Sequence, residues 1–140
     1  MDEEKLNRLP PDVKKQFLKL ALKLSEKKTK SKVHEDFLSF VKHVWPEFIE
    51  GAHHKKIAEK FNQLATGKIK RLIINMPPRH TKSEFASYLL PSWMVGRKPD
   101  LKIIQTTHTT ELAIRFGRKA KTLMDSPEYK QVFDTRLRED

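Results

Sequence analysis

Two adjacent residues, Lys82 and Ser83, have the types and order found in loops that bind nucleotide phosphates. In such a loop, backbone N–H groups point at the phosphates, a lysine ammonium reaches the β and γ oxygens, and a serine or threonine hydroxyl coordinates magnesium. The pair follows a hydrophobic run and opens a predicted helix, whose N-terminus also favours an anion. Lys82 and Ser83 are therefore candidates for phosphate and magnesium binding.

The loop departs from the standard pattern G-x-x-x-x-G-K-[ST], in which both glycines let the backbone wrap closely around the phosphates. Met76 and Thr81 stand at the two glycine positions. An alternative interpretation is a proline-rich turn whose lysine is merely exposed. The elements on either side of the loop favour phosphate binding.

Those elements are predicted to alternate between strands and helices. Short apolar, β-branched runs at residues 71–75 and 101–106 are typical of buried strands in a parallel sheet. Helices are predicted over residues 82–95, ending at Gly96, and over residues 110–124. This order predicts an α/β fold, a P-loop NTPase-like parallel sheet with helical crossovers.

The residues before this region predict helices only. A first helix enters at Pro11 and carries an apolar stripe through Leu24. Further helices are predicted over residues 33–45, before Pro46, and over residues 53–66, before Gly67.

A basic stretch at residues 27–32 has no apolar anchor and predicts a linker. We therefore divide the chain into a helical lead-in, residues 1–67, and the first part of an α/β domain, residues 68–140. The second part is expected to be an incomplete domain.

The composition limits the possible functions. Lys and Arg total 29 against 18 Asp and Glu, and the resulting charge of +11 predicts a polyanionic partner. The absence of cysteine excludes disulfides, cysteine-based zinc sites and a thiol nucleophile. No apolar run approaches the roughly 20 residues that a membrane-spanning helix needs, so we expect a soluble protein with no membrane partner.

The run RLIINMPPRHTKSE, residues 71–84, resembles the Walker A segment of large terminase subunits, the DNA-packaging motors of tailed bacteriophages and prophages. The family's loop often reads Pro-Pro-Arg-His-Gly-Lys-Ser, so Thr81 stands where glycine is commoner. Other segments are similar to the family in the same order, namely residues 40–46, 53–58, 88–93, 96–100, 106–109 and 113–118. The likeness covers residue 37 to the end.

The resemblance implies roles for individual residues. Lys82 would bind the β and γ phosphates of ATP, Ser83 the Mg²⁺ ion, and Arg79 the γ-phosphate, which suits a planar, permanently charged guanidinium. Arg79 and Lys82 are the expected catalytic residues. The expected nucleotide-binding set is Pro78, Arg79, His80, Thr81, Lys82, Ser83, Glu84 and His54. His80 has an equally good alternative in packing of the loop.

The resemblance also implies an ATPase that moves double-stranded DNA into a preformed capsid. Its expected partners are the DNA, a portal protein, a small terminase subunit and further copies of itself in a ring. Its expected location is the host cytoplasm, at the procapsid portal during packaging.

The acidic pair that such a motor needs is not in this sequence. Neither run, 71–75 or 101–106, is followed by one carboxylate to hold magnesium and another to activate water. The nuclease domain of the family is also missing. We therefore expect the N-terminal portion of a large terminase, which binds ATP but does not hydrolyse it efficiently. The alternatives are a non-enzymatic, basic nucleic-acid-binding module and a fragment of a helicase-like P-loop ATPase.

Three further features each have two interpretations. His53 and His54 form half a metal site at most, and one of them is expected to support the nucleotide base. Phe40 and Trp45 could stack on adenine, but their helical spacing favours core packing. A basic helical face is either solvated or a surface for DNA or a neighbouring subunit; it comprises Arg115, Arg118, Lys119 and Lys121.

Overall fold

The computed structural model describes residues 10–135, and the regular structure in this part of the chain is helical. In chain order the helices are α1 (Pro11–Glu35), α2 (Phe37–Val44), α3 (Ala52–Ala65), α4 (residues 82–97), α5 (Thr110–Asp125) and α6 (Pro127–Val132). Within α4, the turn Lys82–Glu84 leads into a π-helical turn at Phe85–Leu89, and Leu90–Arg97 completes the helix.

The chain divides into two compact units after Ser31. In the described residues, the first unit consists of α1 up to that point, and four of its leucines are exposed: Leu18, Leu20, Leu22 and Leu24. The predicted linker at residues 27–32 is helical and lies inside α1. The ends of the two predicted parts, residues 1–9 and 136–140, lie outside the described residues.

The second unit is built around an aromatic core. Phe37 lies at its centre, with its ring edge-to-face against Phe61, Phe85 and Trp93 at centroid distances of 5.0, 5.4 and 5.5 Å. Such pairs add about 0.5–1.5 kcal/mol each beyond the area that they bury. The core thus joins α2, α3 and α4, and Tyr129 and Phe133 complete it from α6 and the residue after it.

Polar contacts fix how these helices meet. The indole N–H of Trp93 donates to the carbonyl of Val33 at 3.0 Å, and the hydroxyl of Tyr129 donates to the carbonyl of Ser92 at 2.8 Å. Because both bonds are buried, breaking either would leave an unsatisfied polar group.

The predicted helices of this unit are confirmed, with one break. The helices expected over residues 53–66, 82–95 and 110–124 correspond to α3, α4 and α5. The helix expected over residues 33–45 is interrupted at Asp36, whose carboxylate caps α2 by accepting from the backbone N–H of Ser39 at 2.7 Å.

The predicted α/β fold with its parallel sheet is wrong. Among residues 10–135 there is no strand, and the two runs expected to pair, 71–75 and 101–106, have neither regular secondary structure nor a ladder of hydrogen bonds. The first run instead packs on the helices through alternate side chains. Leu72, Ile74 and Met76 lie against the aromatic core, whereas Ile73 is 86% exposed.

The second run shows the same outcome. Ile104 is 91% exposed and Ile103 is 40% exposed, so neither side chain is buried as the interior of a parallel sheet requires. Both residues line a shallow apolar depression beside Leu90 and Met94 of α4.

In the described part of the chain, no helix combines the length and the apolarity that a bilayer crossing requires.

Candidate phosphate-binding loop

The loop at residues 76–83 connects the irregular segment before it to the start of α4. Its backbone has an unusual conformation, because Arg79 and Thr81 have φ values of +65° and +55°. They are the two non-glycine residues with positive φ among residues 10–135. L-residues adopt this left-handed region at a cost of about 1–2 kcal/mol, and β-branched residues such as threonine are rarer there still. Thr81 therefore has the backbone conformation that a glycine at its position would adopt easily.

A side chain from α3 contacts this strained residue. The Nε2 atom of His54 lies 2.6 Å from the hydroxyl oxygen of Thr81, and that hydroxyl donates to the carbonyl of His80 at 2.7 Å. Since the hydroxyl proton is directed at the carbonyl, the hydroxyl oxygen accepts from His54.

A second contact of His54 agrees with that direction. The backbone N–H of Gly51, the residue before α3, donates to Nδ1 of His54 at 2.9 Å. Nδ1 is then the acceptor of a neutral imidazole, and Nε2 carries the proton that Thr81 receives. Gly51, His54, Thr81 and His80 thus form one directed chain of hydrogen bonds that ties the loop to the start of α3.

The His54 ring is held in a nearly closed environment. Only 5% of the residue is exposed, and its ring contacts those of Phe48 at 4.7 Å and Phe85 at 5.1 Å, centroid to centroid. Burial lowers the pKa of His54 from its usual 6.5, and the nearby His53 and His80 lower it further, whereas Glu50 opposes them. His54 is therefore neutral at pH 7, as the hydrogen-bond chain requires.

Lys82 and Ser83 stand at the start of α4. The ammonium of Lys82 donates to the carbonyl of Met76 at 3.3 Å, so its side chain folds back along the loop. Thr81 gives no side-chain cap to this helix, because its hydroxyl is engaged by His54 and His80. The N–H groups of the first turn lack intrahelical acceptors and are therefore available to an anion.

The remaining predicted residues fall into two sets. Pro78, Arg79 and His80 lie in the exposed turn, where Nδ1 of His80 donates to the carbonyl of Pro78 at 2.9 Å. Within residues 10–135, Arg79 makes no ion pair. Glu84 forms no ion pair with Lys82, because its carboxylate is bound by Lys119 of α5.

The local charge follows from these contacts. Lys119 neutralises Glu84, whereas Lys82 and Arg79 have no carboxylate partner in the described structure. The loop therefore combines two cations with free first-turn N–H groups, an arrangement that attracts a multiply charged anion. The hydroxyl of Ser83 is exposed and makes no hydrogen bond within residues 10–135, so it is free to act as an oxygen ligand of Mg²⁺.

Sequence reasoning placed His54 in the nucleotide site but missed its contact with Thr81. Those residues are 27 positions apart, and nothing in their local sequence indicates the bond.

Phe40 is fully buried in the core, while Trp45 packs on Phe48 at a centroid distance of 5.5 Å. Residues 10–135 contain no cluster of three or more potential metal-binding side chains, including around His53.

The predicted basic face on α5 lines an open groove of about 810 Å³. Arg115, Arg118 and Lys119 line it together with apolar side chains from α2, α4 and α5. Lys121 lies on the same helix, is exposed, and does not line the groove.

Comparisons with protein-family models, with curated proteins and with solved structures gave no match to this chain.

Proposed function

We propose that the loop at residues 76–83 binds the phosphates of ATP. The observation that carries this proposal is the left-handed backbone of Thr81, at the glycine position of the phosphate-loop pattern and directly before Lys82 and Ser83. The proposal depends on the loop and the helix that it opens, not on a sheet.

Each loop residue has a role that its surroundings permit. Lys82 exchanges its bond to the Met76 carbonyl for the β and γ phosphate oxygens, which accept more strongly because they are charged. Arg79, free of any carboxylate in the described structure, contacts the γ-phosphate. Ser83 provides an oxygen ligand for the Mg²⁺ ion that neutralises the phosphates. The first-turn N–H groups of α4 complete the phosphate contacts.

We propose that this chain is the ATP-binding portion of a large terminase subunit. The support is the similarity of residues 71–84, together with the flanking segments, to that family. Its activity is then the coupling of ATP hydrolysis to translocation of double-stranded DNA into a capsid, in the host cytoplasm at the procapsid portal. Its partners are a portal protein, a small terminase subunit and other copies in a ring.

This chain on its own is expected to bind ATP without hydrolysing it efficiently. Positioning of the attacking water and of magnesium needs carboxylates, and none follows the runs at 71–75 and 101–106. A loop that holds the ground state alone gives binding rather than stabilisation of the transition state.

A titration with a fluorescent ATP analogue, with and without Mg²⁺, tests the proposal. We expect saturable, magnesium-enhanced binding that Lys82→Ala abolishes and Lys102→Ala leaves intact. Lys102 is the matched control, because it is exposed and its substitution removes the same charge. Equal loss in both variants would indicate general electrostatic attraction and contradict a specific loop.

The same variants distinguish the main alternative. A basic nucleic-acid-binding module would bind a DNA duplex with a steep salt dependence, and Lys82→Ala would change that binding no more than Lys102→Ala. Binding of DNA together with no binding of the ATP analogue would favour this module over the ATP-binding loop.

A further inference from the structure

We infer that His54 is a positioning residue for the phosphate-binding loop, which it serves by holding Thr81 in its left-handed conformation through a donated hydrogen bond. The inference rests on the proposed ATP site and assigns to His54 a role different from contact with the nucleotide base. His54 can serve this role because its imidazole is held in place by its own contacts. The imidazole in turn holds the side chain of Thr81, which would otherwise leave the left-handed region.

The imidazole is fixed by one hydrogen bond and by two neighbouring aromatic rings. Nδ1 accepts the N–H of Gly51 at 2.9 Å, and the ring centroids of Phe48 and Phe85 lie 4.7 and 5.1 Å from that of the imidazole. Because Gly51 occupies one nitrogen, the neutral ring can present only a donor to Thr81. α3 therefore supplies a rigid N–H group at a defined place beside the loop.

That N–H group fixes the side chain of Thr81. The hydroxyl accepts from His54 at 2.6 Å and donates to the carbonyl of the preceding residue, His80, at 2.7 Å. The hydroxyl is an acceptor in the first bond and a donor in the second. Together the two bonds restrict rotation of the side chain and of the adjoining peptide.

The loop needs this support because its residue 81 is not glycine. A glycine would reach φ near +55° at little cost, whereas a threonine there is strained and returns to negative φ unless its surroundings hold it. A return would redirect the peptide between Thr81 and Lys82 and hence the first N–H group of α4. Phosphate binding should therefore depend on the His54–Thr81 bond.

Two substitutions of His54 separate this bond from the rest of the histidine's contacts. His54→Gln places an amide nitrogen at the reach of Nε2 and keeps a donor for Thr81. His54→Asn places an amide oxygen near the position of Nδ1, so it keeps the acceptor for Gly51 but is too short to reach Thr81. Thr81→Val removes the hydroxyl from the other side of the bond while keeping the branched shape.

We expect His54→Asn to weaken binding of the ATP analogue roughly tenfold, the effect of leaving one buried polar group without its partner. Thr81→Val should weaken it by a similar factor, and His54→Gln should stay within about twofold of the parent chain. The double variant His54→Asn/Thr81→Val should bind no worse than the weaker single variant, because both remove the same bond. Multiplying losses, or equal losses from glutamine and asparagine, would overturn the inference.

A second readout keeps the inference testable without nucleotide. Nitrogen chemical shifts of His54 in the full chain should report a neutral ring protonated at Nε2 at pH 7. A ring protonated at Nδ1 would overturn the inference. If the parent chain fails to bind the ATP analogue, the proposed function fails, and the same double-mutant cycle is measured on urea unfolding. A coupling between His54 and Thr81 there supports positioning of the loop, and simple additivity rejects it.

Discussion

Lys119 on α5 binds Glu84 on α4 through both carboxylate oxygens, at 3.0 and 2.9 Å. The same ammonium lies 5.1 Å from the centroid of the Tyr88 ring, one turn further along α4. Because Glu84 is two residues after Lys82, its charge would otherwise oppose an anion in the loop. The pair therefore connects the basic helix to the electrostatics of the proposed phosphate site.

Lys119→Met should weaken binding of the ATP analogue several-fold, since it leaves the Glu84 carboxylate uncompensated beside the loop. Adding Glu84→Gln should restore the affinity. The free energy of unfolding should fall by about 1 kcal/mol at most, because both side chains are partly exposed. The measurements are an ATP-analogue titration and urea denaturation of each variant.

Lys121→Met is the matched control, because Lys121 lies on the same helix and is exposed. It removes one positive charge without freeing Glu84. An equal loss of affinity from the Lys119 and Lys121 substitutions would show that only overall charge matters.

The pH dependence of stability should report the buried histidine. The pKa of His54 is lowered by burial and by His53, so below pH 6.5 the unfolded chain takes up a proton that the folded chain resists. The free energy of unfolding should therefore increase as pH rises towards 6.5, and the His54 contribution should be constant above it. Urea denaturation between pH 5 and 8 measures this slope. His54→Gln should flatten it, and an unchanged slope would contradict a lowered pKa of His54 as its cause.

The helices could be predicted because their signals are local. Phe61 on α3 and Phe116 on α5 belong to apolar stripes that repeat every three or four residues, and both are buried. The break between the first two helices was predicted in the wrong place, at residues 27–32, whereas the structure has it at Asp36, which caps α2. Its carboxylate also accepts from the side-chain amide of Asn62 on α3 at 2.8 Å, a contact that the local sequence does not indicate.

Whether a sheet forms could not be decided from the local sequence. The run at 71–75 was predicted to be a strand and has no regular secondary structure, because a strand also needs a partner, and partners come from distant parts of a chain. Ile73 and Ile104 are exposed because nothing among residues 10–135 pairs with their segments. The loop shows the same limit: the sequence predicts Lys82 and Ser83, but His54 reaches Thr81 only through the fold.

Two glycines on helices offer a matched test of the packing around α4. A Cβ at Gly96 would lie 2.6 Å from the Phe133 ring and 2.7 Å from the Tyr129 hydroxyl, whereas a Cβ at Gly117 would meet nothing within 4 Å. Gly96→Ala should lower the free energy of unfolding by about 1–3 kcal/mol through overpacking. Gly117→Ala should raise it by up to about 1 kcal/mol through helix propensity. Thermal and urea denaturation measure both, and stabilisation by both alanines would contradict the close approach of Phe133 to α4.

Thr81 offers the most direct test of the loop backbone, through a comparison of Thr81→Gly with Thr81→Ala. Both variants lose the hydroxyl and its bond to His54, so they differ mainly in their tolerance of positive φ. With φ at +55°, the glycine variant should be more stable than the alanine variant by about 1 kcal/mol. It should also bind the ATP analogue more tightly, because the backbone before Lys82 keeps its direction without support. Urea denaturation and the ATP-analogue titration measure the two differences. An alanine variant at least as stable as the glycine variant would mean that residue 81 does not occupy the left-handed region.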